Sequence, residues 1–490
     1  MRRIQWLENF PTPIRSLGIA CGLMWLAALG IWLSGHTALD ADALVVGDIC
    51  ERWRSGGHLG DWNTCPHPYL FPDAIVYGWI ARLTSDWVLR QIVFGLLVGA
   101  AIWWMLAKVF RHLWNISGDL SRIYAGIGLM PLLPFLTWSN GLGAVFVPGY
   151  HAGSFLCLLG VIAGCLNPNA MRERSPWPWA LGMALWFGAT WASDALAPVW
   201  VLPTLLVFAL GGEGERKLRL LGVAIAAYAL KLLIRGYWTH LGMRIERFQW
   251  PYFFAHISDQ FGAFGAVVSK QGSAEGVLYW VAAVAVLLLA FERKRNPGSF
   301  RLVLVLMGLV AAGIALAVLT GTAPGRYFTA SVWLGAPCFP AAFSRRVHGK
   351  WPLAVVAALG LVGFVSLAES GTASDVQKQA RWLDARLGPT GLKLGVADYW
   401  HARPLRMLNR SGMVLAPVET GAGRFEPFLV SVDRNLFGQV DRVEFVVLNG
   451  LEPSVVSAKL GPPSEIIQGE GLTVWIYGRA KGVKTPPGKP

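Results

Sequence analysis

ADALVVGDICERWRSGGHLGDWNTCPHPYLFPD, residues 41–73, follows directly on an apolar run of membrane-spanning length. It gathers Asp48, Glu51, Asp61, Asp73, His58, His67, Cys50 and Cys65 into one polar segment. Strongly apolar sequence flanks it on both sides, so it reads as a loop between two spans of a bundle. Which side of the membrane that loop faces follows from the rest of the chain.

Of the 490 residues 54% are hydrophobic and only 15% charged, which excludes a soluble globular class. Apolar runs fall near 17–36, 86–107, 122–139, 144–165, 177–192, 195–211, 217–237, 275–291, 301–320, 327–343 and 351–369. Each approaches the roughly 20 residues a helix needs to cross hydrocarbon, which makes about eleven spans. Ser193–Asp194 either separates two spans or kinks one long helix pair. Basic residues flank alternate ends: Arg2, Arg3 and Arg15 before the first span, Lys108 and Arg111 after the second, Arg172 and Arg174 after the fourth. Arg216, Lys217 and Arg219 follow the sixth span, ERKR (292–295) the eighth, and Arg345, Arg346 and Lys350 the tenth. All lie on one side if the N-terminus is cytoplasmic, and loop 37–85 and the C-terminal region then lie outside. The net charge of +14 thus reports topology and not a nucleic-acid patch. The first span is long enough to read as an uncleaved anchor and not a signal peptide.

The expected organisation is a membrane bundle over 1–370 with outward insertions at 37–85 and 238–274, a small α/β domain over 371–480, and a disordered tail at 481–490. In the first insertion, one helix is expected from about Gly47 to Gly57 and another over PYLFPDAIVYGWIARLT. Beyond residue 370, DVQKQARWLDARL, DYWHARPLRML and EPSVVSAKL read as helices, and GLKLGVA, SGMVLAPV, VEFVVLN and LTVWIYG as strands. Alternation of the two patterns indicates an α/β layer structure.

Within this frame a few side chains carry chemistry. Asp48 lies just past the first span, with Glu51 one helical turn on and Arg52 and Arg54 adjoining. The pair reads either as solvated interfacial acids or as a site that abstracts a proton from a hydroxyl or amide. No cofactor is required by the sequence, although a divalent cation near Asp48 would suit the same acids. Asp73 can cap the helix after HPYLFPD, and His67 can reach an acceptor or a phosphate. His151, after Pro148-Gly149, should point into the bundle, as a packing residue or as part of a cavity. Asp194 at membrane depth needs a partner or water. Arg326 and Tyr327, in GTAPGRYF, sit on an outward turn where a guanidinium suits a phosphate or snorkels to lipid. Cys50 and Cys65 share an outward loop in an oxidising compartment, so a disulfide is expected to close it; metal ligation with His58 or His67 is the alternative. Trp382, Tyr399 and Trp400 are candidates for stacking on a sugar, or else core. There is no Walker loop, dinucleotide fingerprint, G-x-S-x-G or H-E-x-x-H.

Taken together, the acidic loop after the first span (Asp48 to Glu51), the HPYLFPD segment, Arg326-Tyr327-Phe328 and the outer C-terminal domain resemble the GT-C class of membrane glycosyltransferases. The likeness covers residues 17–345 in layout and is strongest to the protein O-mannosyltransferase and aminoarabinose transferase branch. The helix start Asp398-Tyr399-Trp400 is similar to that of a group of bacterial membrane proteins. Two details depart from the class pattern: Ile49 and Cys50 separate the two acids, and Tyr69 follows His67-Pro68 in place of a second proline. The resemblance implies inverting transfer of a sugar from a polyprenyl-phosphate donor to a glycan, lipid or protein acceptor. The reaction would occur at the outer face of the bacterial inner membrane, with Asp48 as base and Arg326 on the phosphate. A lipid-linked glycan transporter or flippase would instead need polar residues accessible from both sides. A glycan ligase or polymerase would depend on His151 and Arg326 more than on Asp48.

Overall fold

The computed structural model describes residues 13–35, 39–130, 132, 143–167, 177–212, 214–245, 274–291, 297–320, 328–344, 375–440 and 442–478. Helices run Pro13–Gly35 (α1), Val45–Arg54 (α2), Ile75–Leu83 (α3), Trp87–Trp114 (α4), Gly118–Leu129 (α5), Ala152–Leu166 (α6), Trp177–Ser193 (α7), Leu196–Leu210 (α8) and Gly214–His240 (α9), with a first strand Trp62–Thr64 (β1) before α3. After strand Arg244–Ile245 (β2) come Ala274–Phe291 (α10), Pro297–Thr320 (α11), Thr329–Ser344 (α12) and Asp375–Leu387 (α13). The remaining elements are Leu394–Ala397 (β3), Tyr399–Leu408 (α14), Val414–Glu419 (β4), Glu426–Pro427 (β5), Val432–Asp433 (β6), Asn435–Gln439 (α15), Phe445–Val447 (β7), Pro453–Leu460 (α16), Glu465–Gly469 (β8) and Leu472–Ile476 (β9). The chain divides into two compact units.

One unit comprises Met1–Ser34, Ile92–Ile234 and Phe248–Gly371, and the regular elements among its described residues are all helices. Its helices pair as α6 with α8, α8 with α11, α10 with α12, and α5 with α12. Trp25, Phe146 and Trp333 pack around a common core, Phe146 meeting the Trp333 ring edge-on at 5.1 Å. On α9 only Leu220, Val223 and Ala227 are buried, while Leu218, Leu221, Ile225 and Leu233 stand exposed. In water such a face would be an aggregation surface; against hydrocarbon it is the solvated side of a helix whose backbone bonds are all internal. Trp87–Trp114 and Gly298–Leu316 are, among the described residues, long and apolar enough to cross a membrane, with mean hydropathies of 2.0 and 2.2. Ile19–Ser34, Ala152–Leu166, Leu196–Leu210 and Val281–Phe291 are shorter apolar helices. The expected spans at 177–192 and 195–211 are separate helices, α7 and α8, broken at Asp194–Ala195. The span expected at 351–369 and most of insertion 238–274 lie outside the described residues.

The other unit comprises Gly35–Gln91, Arg235–Arg247 and Thr372–Pro490. Its six-stranded sheet has the order β5-β4-β3-β7-β9-β8, with β4, β3 and β7 parallel and the outer pairs antiparallel. Side chains alternate across it as the two-residue period requires. Ala397, Leu415, Phe445 and Val447 pack under α13 and α14, whereas Val396, Ala416 and Val446 pack with Leu436, Val456 and Leu460 on the other face. A second small sheet, β2-β1-β6, joins the unit's three chain segments: Asn63 pairs with Arg244 in parallel, and Trp62 with Asp433 antiparallel. Helix 375–387 and the strands within GLKLGVA, SGMVLAPV, VEFVVLN and LTVWIYG form where their patterns place them. Strand β8 (EIIQG) was not legible. It is an edge strand with largely exposed side chains, and its turn uses Glu470 and Gly471, both at positive φ, where Asn-Gly would have been the signal.

Two local expectations are corrected. PYLFPDAIVYGWIARLT is not one helix: a π-type turn, Leu70–Ala74, precedes α3, because Pro68 and Pro72 lack amide donors and Phe71 is extended (φ −126°, ψ 133°). Asp73 therefore does not cap α3; Ala74 occupies that position with no side-chain cap, its N–H bonding Tyr69 O at 3.2 Å, and Asp73 is buried in the turn.

Candidate active site

Helix α2, VVGDICERWR, begins on an apolar stretch and ends on two arginines, so it buries Val45 to Cys50 and presents Arg52 and Arg54 outward. It lies close to its neighbours at Gly47, where a Cβ would fall 2.6 Å from the Trp87 ring and 3.1 Å from Tyr77. That approach sets the depth of the next residue. Asp48, in the first turn, is buried and faces two guanidinium groups from α14. Arg403 Nε donates to Asp48 Oδ2 at 3.1 Å, and Arg406 Nη2 donates to the same oxygen. Oδ1 accepts no hydrogen bond among the described residues. One carboxylate oxygen is thus held, and the other keeps its lone pairs.

Arg403 is itself buried, and burial of a guanidinium is costly unless its N–H groups are matched. Its Nη1 donates to Ala41 O at 2.6 Å and to the Tyr399 hydroxyl at 3.3 Å, and its Nη2 to Ser431 O. Burial opposes its charge, but the adjoining Tyr399 and Asp48 hold it protonated and raise its pKa. Tyr399 donates to Asp42 Oδ1 at 2.6 Å, and burial pushes its phenol well above the ordinary value, with Asp42 adding to the rise. Its ring packs against Phe428 at 4.9 Å. Trp382 packs against the sheet core, and Trp400 remains exposed.

Glu51 has different partners. It accepts from Arg90 Nη1 at 2.6 Å and from Arg54 Nη1 at 2.9 Å. Arg90 is 2% exposed, lies over the Trp87 ring at 4.4 Å and donates from Nε to Thr84 O at 2.7 Å. Glu51 is its counter-ion, tying α2 to the start of α4. His67 stacks on Tyr69, ring centroids 5.8 Å apart, and Arg235 Nη2 donates to the neighbouring Pro66 O at 2.8 Å.

Arg52 links α2 to two further acids, Asp433 at 3.0 Å and Asp61 at 3.7 Å. Burial raises the Asp433 carboxyl above the ordinary 3.8 despite that arginine. Burial pushes Asp61 the same way, but the His58 backbone N–H at 3.1 Å, Asn435 and Arg52 outweigh it and hold Asp61 below 3.8. A carboxyl lowered in the folded state adds stability above its unfolded value that is lost as pH falls through the folded one. Asp61→Asn is therefore expected to melt lower than the parent near pH 6, the two curves converging once pH drops below the folded Asp61 value. Thermal unfolding across pH 3–6 measures this.

Cys50 and Cys65 are separate thiols, contrary to the expected disulfide. Cys50 lies on the inner face of α2, where its Sγ donates to Ala74 O at 3.4 Å, whereas the Cys65 Sγ turns to His67 O at 3.1 Å. Burial pushes the Cys50 thiol up to about 12. Cys65 is half-exposed and the other five cysteines are buried. Maleimide should label the native protein about once per chain, at Cys65, and Cys65→Ser should abolish that labelling. Mass spectrometry of labelled peptides reads the result, and no label before reduction with Cys50 and Cys65 both labelled after reduction and unfolding would restore the disulfide.

In the helical unit, His151 and Asp194 meet as a buried pair. His151 is the residue before α6, at φ 69°, and its Nδ1 lies 2.9 and 3.0 Å from the two Asp194 carboxylate oxygens. Ser154 donates to Asp194 Oδ2, and the Leu196 backbone N–H donates to Oδ1 at 2.9 Å, so Asp194 also closes the N-terminus of α8. Trp200 packs edge-on to the imidazole at 6.1 Å. The partner that Asp194 required is thus histidine. A carboxylate on Nδ1 fixes the ring and its tautomer. Ser154 bonds the acid and not the imidazole, so the three do not form a nucleophile relay. Arg326 and Tyr327 lie outside the described residues.

The residues that sequence reading missed are Arg403, Arg406, Asp42, Asp433, Arg90 and Ser154. Only the three-residue spacing of Arg403 and Arg406 in HARPLRML hinted at a shared face. Their target stands 355 residues away in the chain.

No protein-family model and no curated protein sequence matches this chain. Among solved structures it is similar to the crystal structure of ArnT from Cupriavidus metallidurans bound to undecaprenyl phosphate. The TM-score is 0.59 at 12% sequence identity, and the match covers 99% of this chain and 100% of that one. At that identity the likeness is one of fold. The chain shares the fold of that structure, mostly helical with a C-terminal sheet region, and this is the branch to which the resemblance in its sequence pointed.

Proposed function

We propose that this protein is a glycosyltransferase of the bacterial cytoplasmic membrane that moves a sugar from a polyprenyl-phosphate donor to an acceptor at the outer face. The observation that carries the reading is the placement of Asp48 in a chain of this fold: the acid of the first loop is held by one oxygen while the other accepts no hydrogen bond among the described residues. Asp48 Oδ1 takes the proton of an acceptor hydroxyl or amide as that atom bonds the anomeric carbon. The bond from that carbon to the carrier phosphate breaks on the opposite face, inverting the centre and releasing polyprenyl phosphate. Glu51 positions α2 through Arg90 and does not itself receive the proton. Arg326 and Tyr327 hold the carrier phosphate, and His67 and Asp73 contribute to substrate binding. His151 and Asp194 are further substrate-binding residues of this proposal. About eleven spans put the N-terminus in the cytoplasm and residues 371–480 in the periplasm. No cofactor is part of the proposal beyond the divalent cation that the acids near Asp48 would suit, and Arg403 and Arg406 supply positive charge at Asp48 Oδ2.

The test is reconstitution of the purified protein in proteoliposomes with polyprenyl-phosphate sugars from the same bacterium, following loss of the lipid-linked sugar by mass spectrometry. Transfer to an added cell-envelope acceptor supports the reading, and movement of intact lipid-linked sugar between leaflets without cleavage would replace it by transport. Loss of activity in His151→Asn with full activity in an Asp48 variant would indicate a ligase or polymerase.

A further inference from the structure

We infer that Arg403 and Arg406 are positioning residues for Asp48, which makes helix α14 of the C-terminal region part of the transfer machinery. The inference rests on the proposed reaction. Arg403 alone would satisfy the structural need for a counter-ion, since it is buried, meets Asp48 at 3.1 Å and reaches Ala41 O, Tyr399 and Ser431 O. Arg406 has no such set of contacts. Among the described residues its side chain has one hydrogen-bond acceptor, Asp48 Oδ2, and its buried Nε has no partner; the side chain is 18% exposed. Two like charges one helical turn apart repel each other, and desolvating a second guanidinium adds to that cost. Packing does not account for it.

Placement of both groups on Oδ2 does account for it. A carboxylate held by one bond swings about its side-chain torsions, whereas two donors converging on one oxygen fix the plane of the group. The second oxygen is then left in a single orientation. A proton acceptor must hold its lone pair within a fraction of an ångström of the reactive line, and displacement by about 1 Å can cost on the order of 100-fold in rate. Tyr399, held by Asp42 at 2.6 Å, in turn supports Arg403. The Asp-Tyr-Trp helix start thereby gains a role: Asp398 caps α14 by accepting from the His401 N–H at 3.0 Å, which sets the register of Tyr399, Arg403 and Arg406 along one helix side.

Arg406→Ala, Arg406→Lys and Arg403→Lys in the full-length protein test this in the proteoliposome transfer assay. Arg406→Ala should lower kcat by about 100-fold while leaving KM for the lipid-linked donor within about twofold. Because that position is partly open, millimolar guanidinium chloride should restore much of the rate, and the same concentration of methylammonium or sodium chloride should not. Arg406→Lys should fall between the parent and the alanine variant, and thermal melting of the Arg406 variants should stay close to the parent. Parent-like kcat in Arg406→Ala, or a loss that guanidinium leaves unchanged, overturns the inference. Failure of the parent itself to transfer sugar would instead remove the proposed reaction. Should Arg403→Lys fold poorly, the Arg406 pair of variants still decides.

Discussion

Asp48→Asn is expected to transfer sugar about 10²–10⁴-fold more slowly than the parent, the range that a positioned general base contributes. An amide oxygen can still accept from Arg403 and Arg406, so the substitution preserves the shape of the site and removes the basic lone pair. It also leaves a buried guanidinium without its anion, and breaking such a pair costs about 3–5 kcal/mol. Two measurements are therefore required on the same preparation: initial transfer rate at saturating donor, and thermal unfolding in detergent. Loss of transfer in a variant that is still folded at the assay temperature assigns the base to Asp48. A variant that melts lower and transfers at the parental rate would reduce Asp48 to the counter-ion of Arg403. Asp48→Ala separates the effects less well, because it deprives both arginines of an acceptor together.

The largest loss of stability is expected from Asp194→Leu in the helical unit. Its carboxylate accepts from His151, Ser154 and the Leu196 N–H, and all three residues are buried. Leucine fills the volume but strands the donors, each of which costs about 1–3 kcal/mol when buried without a partner. Losses within one network are not additive, and a net destabilisation of about 3–5 kcal/mol is expected. Asp194→Asn retains an oxygen for Ser154 or Leu196 and should cost less than half as much. Chemical denaturation in detergent measures both, and a leucine variant within about 1 kcal/mol of the parent would mean that water satisfies these groups. Transfer by the asparagine variant then reports on His151, whose ring loses its anionic partner while the helices stay joined.

Hydropathy determined a great deal by itself. Crossing hydrocarbon demands length and apolarity within one continuous segment, so α1, α4, α8 and α11 stand out in the linear chain, and the helical unit needed no tertiary information to be recognised. Likewise, the alternating patterns beyond residue 370 specified most of the helices and strands of the C-terminal sheet region, because burial of one face is a local periodic demand. Asp48 was legible for a related reason: an acid directly after a span, followed by another one turn later, is locally unusual. What completes the site was not legible. Arg403 and Arg406 look like ordinary charges on an amphipathic helix until α14 is laid beside α2. Asp433 carries no signal in the linear chain, and β6 pairing with β1 brings it to Arg52. Cys50 and Cys65 share a loop, yet the π-type turn and α3 take up Cys50 and leave Cys65 at the edge of the small sheet. Sequence encodes which side chains must leave water. Which of them then meet is decided by long-range packing, since the contacts that orient Asp48 close a loop of more than 350 residues and no local period records them.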